Sequence, residues 1–209
     1  MQPNFLIENC YKNYCVAGFD EAGRGPLAGP VVAACVILDQ ENHPLQINDS
    51  KKLSKKQREK VFLELKEKAL FGVGIVDEKT IDEINILEAT KRAMLEALND
   101  LQKKYAIEVE VALIDGNFIP FSKTNKMQEI IAVVKGDQKS LSIAAASIIA
   151  KETRDAIMHQ LHSQHPQYGF DRHSGYGTEF HRQKIKEFGA CEVHRKSFEP
   201  IKSMLNADH

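Results

Sequence analysis

The sequence predicts one α/β domain in which five short strands alternate with helices, an expectation that depends on length, composition and hydrophobic periodicity. Its 209 residues are 43% hydrophobic and 27% charged, proportions typical of a globular domain large enough to bury a core. Short apolar runs typical of strands alternate along the chain with longer stripes that have helical spacing. We therefore treat residues 1–209 as a single domain. Residues 165–209 are expected to form a helical and loop extension that contributes to substrate binding, because this part of the chain concentrates histidine, tyrosine, glycine and arginine.

Five apolar runs have the length and composition of strands. The first two are separated by a short glycine-rich loop, which favours antiparallel pairing between them. In the fourth run successive residues alternate between the two faces of the strand, and Asp115 is the last residue on the apolar face. The predicted strands cover residues 14–19, 31–38, 70–76, 108–115 and 130–134.

Helix starts are marked by capping residues. Ser54 and Gln57 form a capping-box pattern ahead of the first helix. Two such patterns, beginning at Thr80 and at Asn85, compete for the start of the second helix. Residues 1–13 give no periodic signal and are expected to form a loosely tied arm. The predicted helices cover residues 54–69, 80 or 85 to 104, 141–161, 178–188 and 197–204.

Acidic residues follow three of the predicted strands. They are Asp20 and Glu21 after the first strand, Asp115 at the end of the fourth and Asp137 just beyond the fifth. If these three strands are neighbours in the sheet, the four side chains converge at one edge. Asp115 and Asp137 also have an ordinary alternative, because aspartate is common in the turns that end strands.

Converging carboxylates repel one another, and divalent cations between them would relieve that repulsion. Ligands that are all oxygen favour Mg²⁺ or Mn²⁺ over zinc. Two such cations about 4 Å apart can activate a water molecule and stabilise the leaving oxygen of a phosphodiester. The acids therefore predict a nuclease whose active complex holds two divalent cations, Mn²⁺ or Mg²⁺.

The segment of residues 51–60 carries six basic side chains and one acidic one, although the net charge of the chain is −1. We expect Lys51 and Lys52 to contact substrate phosphates, and Lys151 is a candidate to face the acidic cluster. The other four basic residues of the segment are expected to form a solvated helix face that attracts nucleic acid. These four are Lys55, Lys56, Arg58 and Lys60.

Other features exclude several classes of protein. No apolar run has the length of a membrane span and residues 1–17 lack the features of a signal peptide, so a cytoplasmic protein is expected. The four cysteines form no CxxC pair and are expected to be reduced thiols. His159, His162 and His165 are spaced three residues apart, which matches no closed zinc site, so zinc is not expected.

Seven motifs, in order along nearly the whole chain, resemble those of bacterial ribonuclease HII, a type 2 ribonuclease H. Their joint order and spacing make coincidence an inadequate explanation. The motifs are GFDEAGRGPLAGPVVAA at 18–34, NDSKKLS at 48–54, IDEINIL at 81–87, IDG at 114–116, KGDQKS at 135–140, SIAAASIIAKETRD at 142–155 and HSGYGT at 173–178.

This resemblance implies the ribonuclease H-like fold, a mixed five-stranded sheet flanked by helices with a helical C-terminal part. It also implies that the metal-binding and catalytic quartet of the family falls on Asp20, Glu21, Asp115 and Asp137. Asp155 competes for the fourth place, but its position deep in a predicted helix favours a role in ordering neighbouring side chains.

The resemblance also implies how substrate is recognised. The Gly-Arg-Gly loop of the family falls on Gly23, Arg24 and Gly25, where members contact the 2′-hydroxyl of a ribonucleotide at an RNA to DNA junction. Glycine permits the close backbone approach that such a contact needs. Tyr176, in the GYGT segment, is expected to stack on the sugar that follows, although an ordinary surface aromatic residue is the alternative.

The leading hypothesis is a metal-dependent endonuclease that cuts the RNA strand of RNA/DNA hybrids and cuts 5′ of single ribonucleotides in duplex DNA. Its products would carry 3′-hydroxyl and 5′-phosphate ends, as primer removal and ribonucleotide excision repair require. A binding module without catalysis and a phosphohydrolase of small nucleotides are the alternatives. We expect a monomer with no membrane partner, and the sequence identifies no replication-clamp contact.

Overall fold

A computed structural model describes residues 2–123 and 125–207 of the chain. The strands are β1 (Val16–Ala22), β2 (Val31–Leu38), β3 (Ala69–Val76), β4 (Val111–Asp115) and β5 (Glu129–Val133). The helices are α1 (Lys55–Lys68), α2 (Glu78–Ile84), α3 (Ile86–Tyr105), α4 (Leu141–Gln164), α5 (Phe170–His173), α6 (Glu179–Phe188) and α7 (Ile201–Ala207). Short 3₁₀ helices cover Glu8–Tyr11, Gly136–Gln138 and Pro166–Tyr168.

The five strands form one mixed sheet in the order β3-β2-β1-β4-β5, which confirms the predicted fold class. β2 pairs antiparallel with β1 and β3, whereas β1, β4 and β5 run parallel to one another. Phe19 of β1 pairs with Ile114 of β4, so Asp20 and Asp115 occupy the next position on adjacent strands. The register therefore places two of the predicted acids side by side at one edge of the sheet.

Helices cover both faces of the sheet. Residues of α3 pack on one face, and residues of α1 and α4 pack on the other. Gly18 allows α4 to lie directly on β1, because a Cβ atom there would lie 2.2 Å from the carbonyl carbon of Ser142. Described residues of the C-terminal part form a smaller apolar cluster with Leu27, Ala28 and Met158. Within the described ranges, no helix is long and apolar enough to cross a membrane.

Capping groups decide where the helices begin. The predicted capping box of Ser54 and Gln57 is confirmed at the start of α1. The prediction of one helix after residue 80 is wrong, because the chain forms α2 and α3 there. Asp77 caps α2, and Asn85, with φ of 69°, ends α2 and caps α3 by accepting hydrogen bonds from the backbone N–H groups of Leu87 and Glu88. The positive φ at Asn85 breaks the continuous helix.

The prediction of a loosely tied N-terminal arm is also wrong for the described residues. Glu8 is only 4% exposed. Its Oε1 atom accepts hydrogen bonds from Ser140 Oγ (2.6 Å) and from the backbone N–H of Ser142 (3.0 Å). A carboxylate at the N-terminus of α4 also interacts favourably with the helix dipole. The arm is therefore fixed to the start of the helix that lies against β1.

Candidate active site

A cleft of ≈ 300 Å³ opens at the edge of the sheet where β1 and β4 end. Its wall includes the three acids Asp20, Glu21 and Asp115 and the basic residues Lys51 and Lys151. The Gly-Arg-Gly loop and Tyr176 also line it. Sequence-predicted residues from five separate segments thus meet in one concave site.

Asp20 is held in a polar but poorly hydrated position. It is 6% exposed, and its Oδ1 atom accepts a hydrogen bond from the backbone N–H of Glu21 at 2.7 Å. Burial, followed by the charges of Glu21 and Asp115, raises the pKa of Asp20 well above its usual range. A hydrogen bond from Ser147 opposes that rise only in part. The surroundings of Asp20 therefore disfavour its ionised form.

Glu21 also lies in the wall of the cleft. Burial raises its pKa, and the Arg24 guanidinium, 3.2 Å from Glu21 Oε1, opposes the rise. Glu21 Oε2 is buried and accepts no hydrogen bond from the part of the chain that the structure describes. A buried carboxylate oxygen without a donor is costly. A bound cation would satisfy it, so Glu21 fits the predicted metal chemistry.

Asp115 and Asp137 complete the acidic group. Asp115 Oδ1 accepts a hydrogen bond from the backbone N–H of Gly136 at 2.6 Å, which joins the end of β4 to the 3₁₀ turn that carries Asp137. Asp137 is 6% exposed, and its pKa is raised by burial, by Asp115 and by Asp49. Asp137 lies beside Asp115, outside the residues that line the cleft wall.

The four acids are close but do not form a closed cage. Among the described residues, no three of them bring one oxygen each within 4.8 Å of one another. All-oxygen ligands and mutual repulsion suit hard divalent cations, which accept water in their remaining coordination positions. The chemistry of these residues therefore fits Mg²⁺ or Mn²⁺.

Arg195, which the sequence analysis did not identify, binds the backbone of the Gly-Arg-Gly loop through its side chain. It is fully buried. Its guanidinium donates hydrogen bonds to the carbonyl oxygens of Gly23 (2.6 Å), Arg24 (3.1 Å) and Gly29 (2.8 and 2.9 Å). Burial lowers the pKa of Arg195 to about 9. The loop conformation therefore depends on a desolvated guanidinium that satisfies three backbone acceptors.

Arg154, on α4, plays a similar part on the other side of the loop. It donates hydrogen bonds to the carbonyl oxygens of Ala28, Pro30 and Ser174 at 2.9 to 3.1 Å. A Cβ atom at Gly23, where φ is +96°, would lie 2.1 Å from Arg154 Nε, so only glycine fits there. Arg154 lies four residues before Met158, which is buried, so helical periodicity places both on the same face of α4. That spacing was the sequence signal that could have identified Arg154 as inward-facing.

Tyr176 and Lys51 line the cleft, whereas Lys52 does not. Tyr176 is 49% exposed, and its Cε1 atom would lie 3.6 Å from a Cβ placed on Gly25. Lys51 lines the same cleft. Lys52 does not line it, and its Nζ lies 4.0 Å from Asp49 Oδ2. The tyrosine and the loop are therefore adjacent, whereas the two lysines have different surroundings.

The prediction that Arg58 is solvated is wrong. Its side chain is 12% exposed and forms ion pairs with Glu152 and Asp155. Asp155 also accepts hydrogen bonds from Lys151 Nζ (2.6 Å) and Ser174 Oγ (3.0 Å). Asp155 thus orders side chains beside the cleft, while Lys151 both lines the cleft and contacts Asp155. Lys55, Lys56 and Lys60 are exposed, as predicted.

The histidines of the segment 159–165 do not all lie together. His165 lies near Cys191 and Glu192, with one potential ligand atom from each within 4.8 Å of one another. In the described ranges, neither His159 nor His162 belongs to that group. All four cysteines are free thiols, as predicted.

Comparison with known sequences gives a consistent result. The family model described as Ribonuclease HII matches residues 17–201. A ribonuclease HII of Chlamydia trachomatis serovar A is 50% identical over 204 residues, which are 97% of this chain and 89% of the relative. A ribonuclease HII of Ruminiclostridium cellulolyticum is 54% identical over 187 residues, 89% of this chain and 70% of the relative.

Solved structures share the fold. The ribonuclease H2 of Pyrococcus horikoshii OT3 superposes with a TM-score of 0.75 at 28% identity, covering 92% of this chain and 97% of the other. The RNase HII of Archaeoglobus fulgidus, solved in a complex with PCNA, gives 0.70 at 27% identity, covering 88% and 95%. Bst-RNase HIII in complex with Mn²⁺ gives 0.67 at 19% identity, covering 92% and 69%.

Proposed function

This chain belongs to the ribonuclease HII family, and from that premise we propose that it also cuts 5′ of single ribonucleotides embedded in duplex DNA. Membership makes the chain a ribonuclease H, an endonuclease that hydrolyses the RNA strand of RNA/DNA hybrids. The observation that carries the proposal is the meeting of the acids, the Gly-Arg-Gly loop and Tyr176 in one cleft. The products would carry 3′-hydroxyl and 5′-phosphate ends.

Divalent cations would be held by Asp20, Glu21, Asp115 and Asp137. When bound, two such ions supply an activated water molecule and stabilise the leaving oxygen of the phosphodiester. Glu21 Oε2, which has no hydrogen-bond donor among the described residues, and the raised pKa values of Asp20 and Asp137 support this assignment. We propose Mg²⁺ or Mn²⁺ because the ligand set is all oxygen.

Recognition of the ribonucleotide would come from the loop and the tyrosine. Gly23 and Gly25 let the backbone approach the 2′-hydroxyl. The Arg24 side chain is 43% exposed and pairs with Glu21, so it would have to leave that ion pair to contact a phosphate. Tyr176 would pack on the next sugar, one step along the strand. Lys51, on the cleft wall, would contribute a phosphate contact, and Lys52 a weaker one from outside it.

Tyr176→Ala is expected to lower the cleavage rate on a duplex with one ribonucleotide by about 10- to 100-fold, because the lost stacking contact contributes about 1–3 kcal/mol. Binding to duplex DNA should change much less, since the basic surface is intact. A denaturing gel with a labelled strand measures the rate, and the all-DNA duplex is the negative control.

Tyr14→Ala is the matched control variant. Tyr14 is 45% exposed, close to the 49% of Tyr176, but it lies outside the cleft. It should cut at the wild-type rate. Equal rates for Tyr176→Ala and Tyr14→Ala would contradict the recognition proposal, and wild-type cleavage of the all-DNA duplex would contradict the proposed specificity.

Removal of divalent cations with EDTA is expected to stop cleavage while most duplex affinity remains, since phosphate contacts by basic residues do not need the ions. That affinity should fall steeply as salt concentration rises. Fluorescence anisotropy with a labelled duplex, with and without EDTA, measures binding beside the cleavage assay. Cleavage that persists at an undiminished rate in EDTA, and is not accelerated by added Mn²⁺, would refute the metal assignment.

We further propose that the protein acts as a cytoplasmic enzyme in removal of replication primers and in ribonucleotide excision repair. Both processes present a ribonucleotide followed by DNA, the junction that the loop and Tyr176 are proposed to recognise together. A duplex with a single ribonucleotide therefore tests the junction recognition that both roles would require.

A further inference from the structure

Two buried histidines lie beside the backbone of Tyr176 and are not among the proposed catalytic or metal-binding residues. His181, on α6, and His194, in the segment after it, are 0% and 1% exposed. Their Nε2 atoms lie 3.1 Å apart. His181 Nδ1 lies 2.9 Å from the carbonyl oxygen of Tyr176, and His194 Nδ1 lies 3.0 Å from the backbone nitrogen of Cys191.

The backbone groups fix the tautomer of each ring. The N–H of Cys191 is a donor, so His194 Nδ1 must accept and His194 carries its proton on Nε2. That proton is donated to His181 Nε2, which leaves His181 with its proton on Nδ1. His181 Nδ1–H then donates to the Tyr176 carbonyl oxygen. Every contact is satisfied when both rings are neutral.

The surroundings keep both rings neutral. Burial lowers the pKa of His181 and of His194 to about 4. His173 stacks on His181 with ring centroids 4.5 Å apart, and it bonds the backbone N–H of Gly175 through Nδ1. The Tyr176 carbonyl oxygen therefore receives one hydrogen bond from His181 and another from the backbone N–H of Thr178, at 2.8 Å.

The same segment reaches the other half of the recognition site. Arg195 follows His194 directly, and its side chain holds the carbonyl oxygens of Gly23 and Arg24. Its backbone N–H bonds the carbonyl oxygen of Leu27 at 2.8 Å. Arg195 thus holds the Gly-Arg-Gly loop, and the preceding residue, His194, holds the backbone of Tyr176 through His181.

We propose that His181 and His194 are positioning residues that fix the distance between Tyr176 and the Gly-Arg-Gly loop, and hence the selection of the RNA to DNA junction. This inference rests on the proposed function of Tyr176. It assigns His181 no contact with substrate. A shift of about 1 Å in a positioned group can lower a rate by about 100-fold, so loss of this hydrogen-bond chain should be visible in cleavage.

The test is a double-mutant cycle of His181→Phe and Tyr176→Ala. Phenylalanine keeps an aromatic ring beside Tyr168 and Phe170 but cannot donate to the Tyr176 carbonyl. We expect His181→Phe alone to lower kcat on the single-ribonucleotide duplex by about 10- to 100-fold with little change in KM. In the Tyr176→Ala background the same change should lower kcat by less than about twofold, because the group being positioned is gone.

Two further variants sharpen the cycle. His181→Asn retains a donor that can reach the Tyr176 carbonyl, so its kcat should exceed that of His181→Phe, and it serves if the latter folds poorly. His159→Gln changes an exposed histidine on α4 and should behave as wild type. Thermal unfolding of each variant separates lost stability from lost positioning.

Equal losses of kcat in the two backgrounds, or a wild-type rate for His181→Phe, would overturn the inference while the proposed function stands. If the wild-type protein does not cut the single-ribonucleotide duplex, the proposed function fails and the inference fails with it. An active wild type with non-additive losses supports both.

Discussion

Asp20→Asn is expected to lower the cleavage rate by about 10³-fold or more and, in metal-free buffer at neutral pH, to raise the free energy of unfolding. The rate should fall because the proposed metal ligand would be lost from a site whose ions would supply several kcal/mol of transition-state stabilisation. Stability rises because burial and the charges of Glu21 and Asp115 disfavour the ionised Asp20 carboxyl. An amide of the same shape carries no charge and can still accept the bond from the Glu21 N–H.

The raised pKa of Asp20 fixes how the stability gain of Asp20→Asn changes with pH. A carboxyl whose pKa is higher in the folded than in the unfolded protein destabilises the fold fully above its folded pKa. That destabilisation disappears as the pH falls below the ordinary pKa of aspartate. The stability advantage of Asp20→Asn should therefore shrink on acidification, as urea unfolding at several pH values would measure.

Asp39→Asn, which changes an exposed aspartate, is the control for loss of a negative charge alone. It should leave both cleavage and the pH dependence of stability close to those of the wild type. Undiminished cleavage by Asp20→Asn would exclude Asp20 as a metal ligand. A stability loss at neutral pH would show that its hydrogen bonds outweigh its desolvation.

Arg195→Met is expected to lower the free energy of unfolding by about 2–4 kcal/mol and to lower cleavage at the ribonucleotide further than the unfolded fraction explains. Methionine fills much of the volume but leaves the carbonyl oxygens of Gly23, Arg24 and Gly29 without their donor. Each buried acceptor without a partner costs about 1–3 kcal/mol, and relief of the buried charge offsets part of the sum.

Arg92→Met is the matched control, because the Arg92 side chain is 58% exposed and pairs only with Glu96 in the described part of the chain. A surface pair of this kind contributes about 0–1 kcal/mol. Urea unfolding compares the two variants, and cleavage is measured well below the unfolding midpoint. Equal stability of both variants would show that water replaces the Arg195 guanidinium at no net cost.

The sequence alone determined the number of strands and placed the four acids near strand ends, although β1 continues to Ala22 and therefore includes Asp20 and Glu21. Alternating apolar residues have the two-residue period of strands, so the end of β4 at Asp115 was predicted at the residue. The cap at Ser54 was equally local, since its partner Gln57 lies three positions away. The cap at Asn85 was one of the two predicted helix starts, but the separate helix α2, which Asp77 caps, was not predicted.

Only the tertiary structure decided which polar residues are buried and what they hold. Arg195 bonds Gly23 across 172 positions of sequence, and Glu8 bonds Ser140 across 132. Their partners are mostly backbone groups or serines, which every segment possesses, so no residue pattern marks them in advance. A buried charge is tolerated only where such acceptors converge. The arrangement of the recognition loop, and the histidine pair beside it, therefore follows from packing between remote segments.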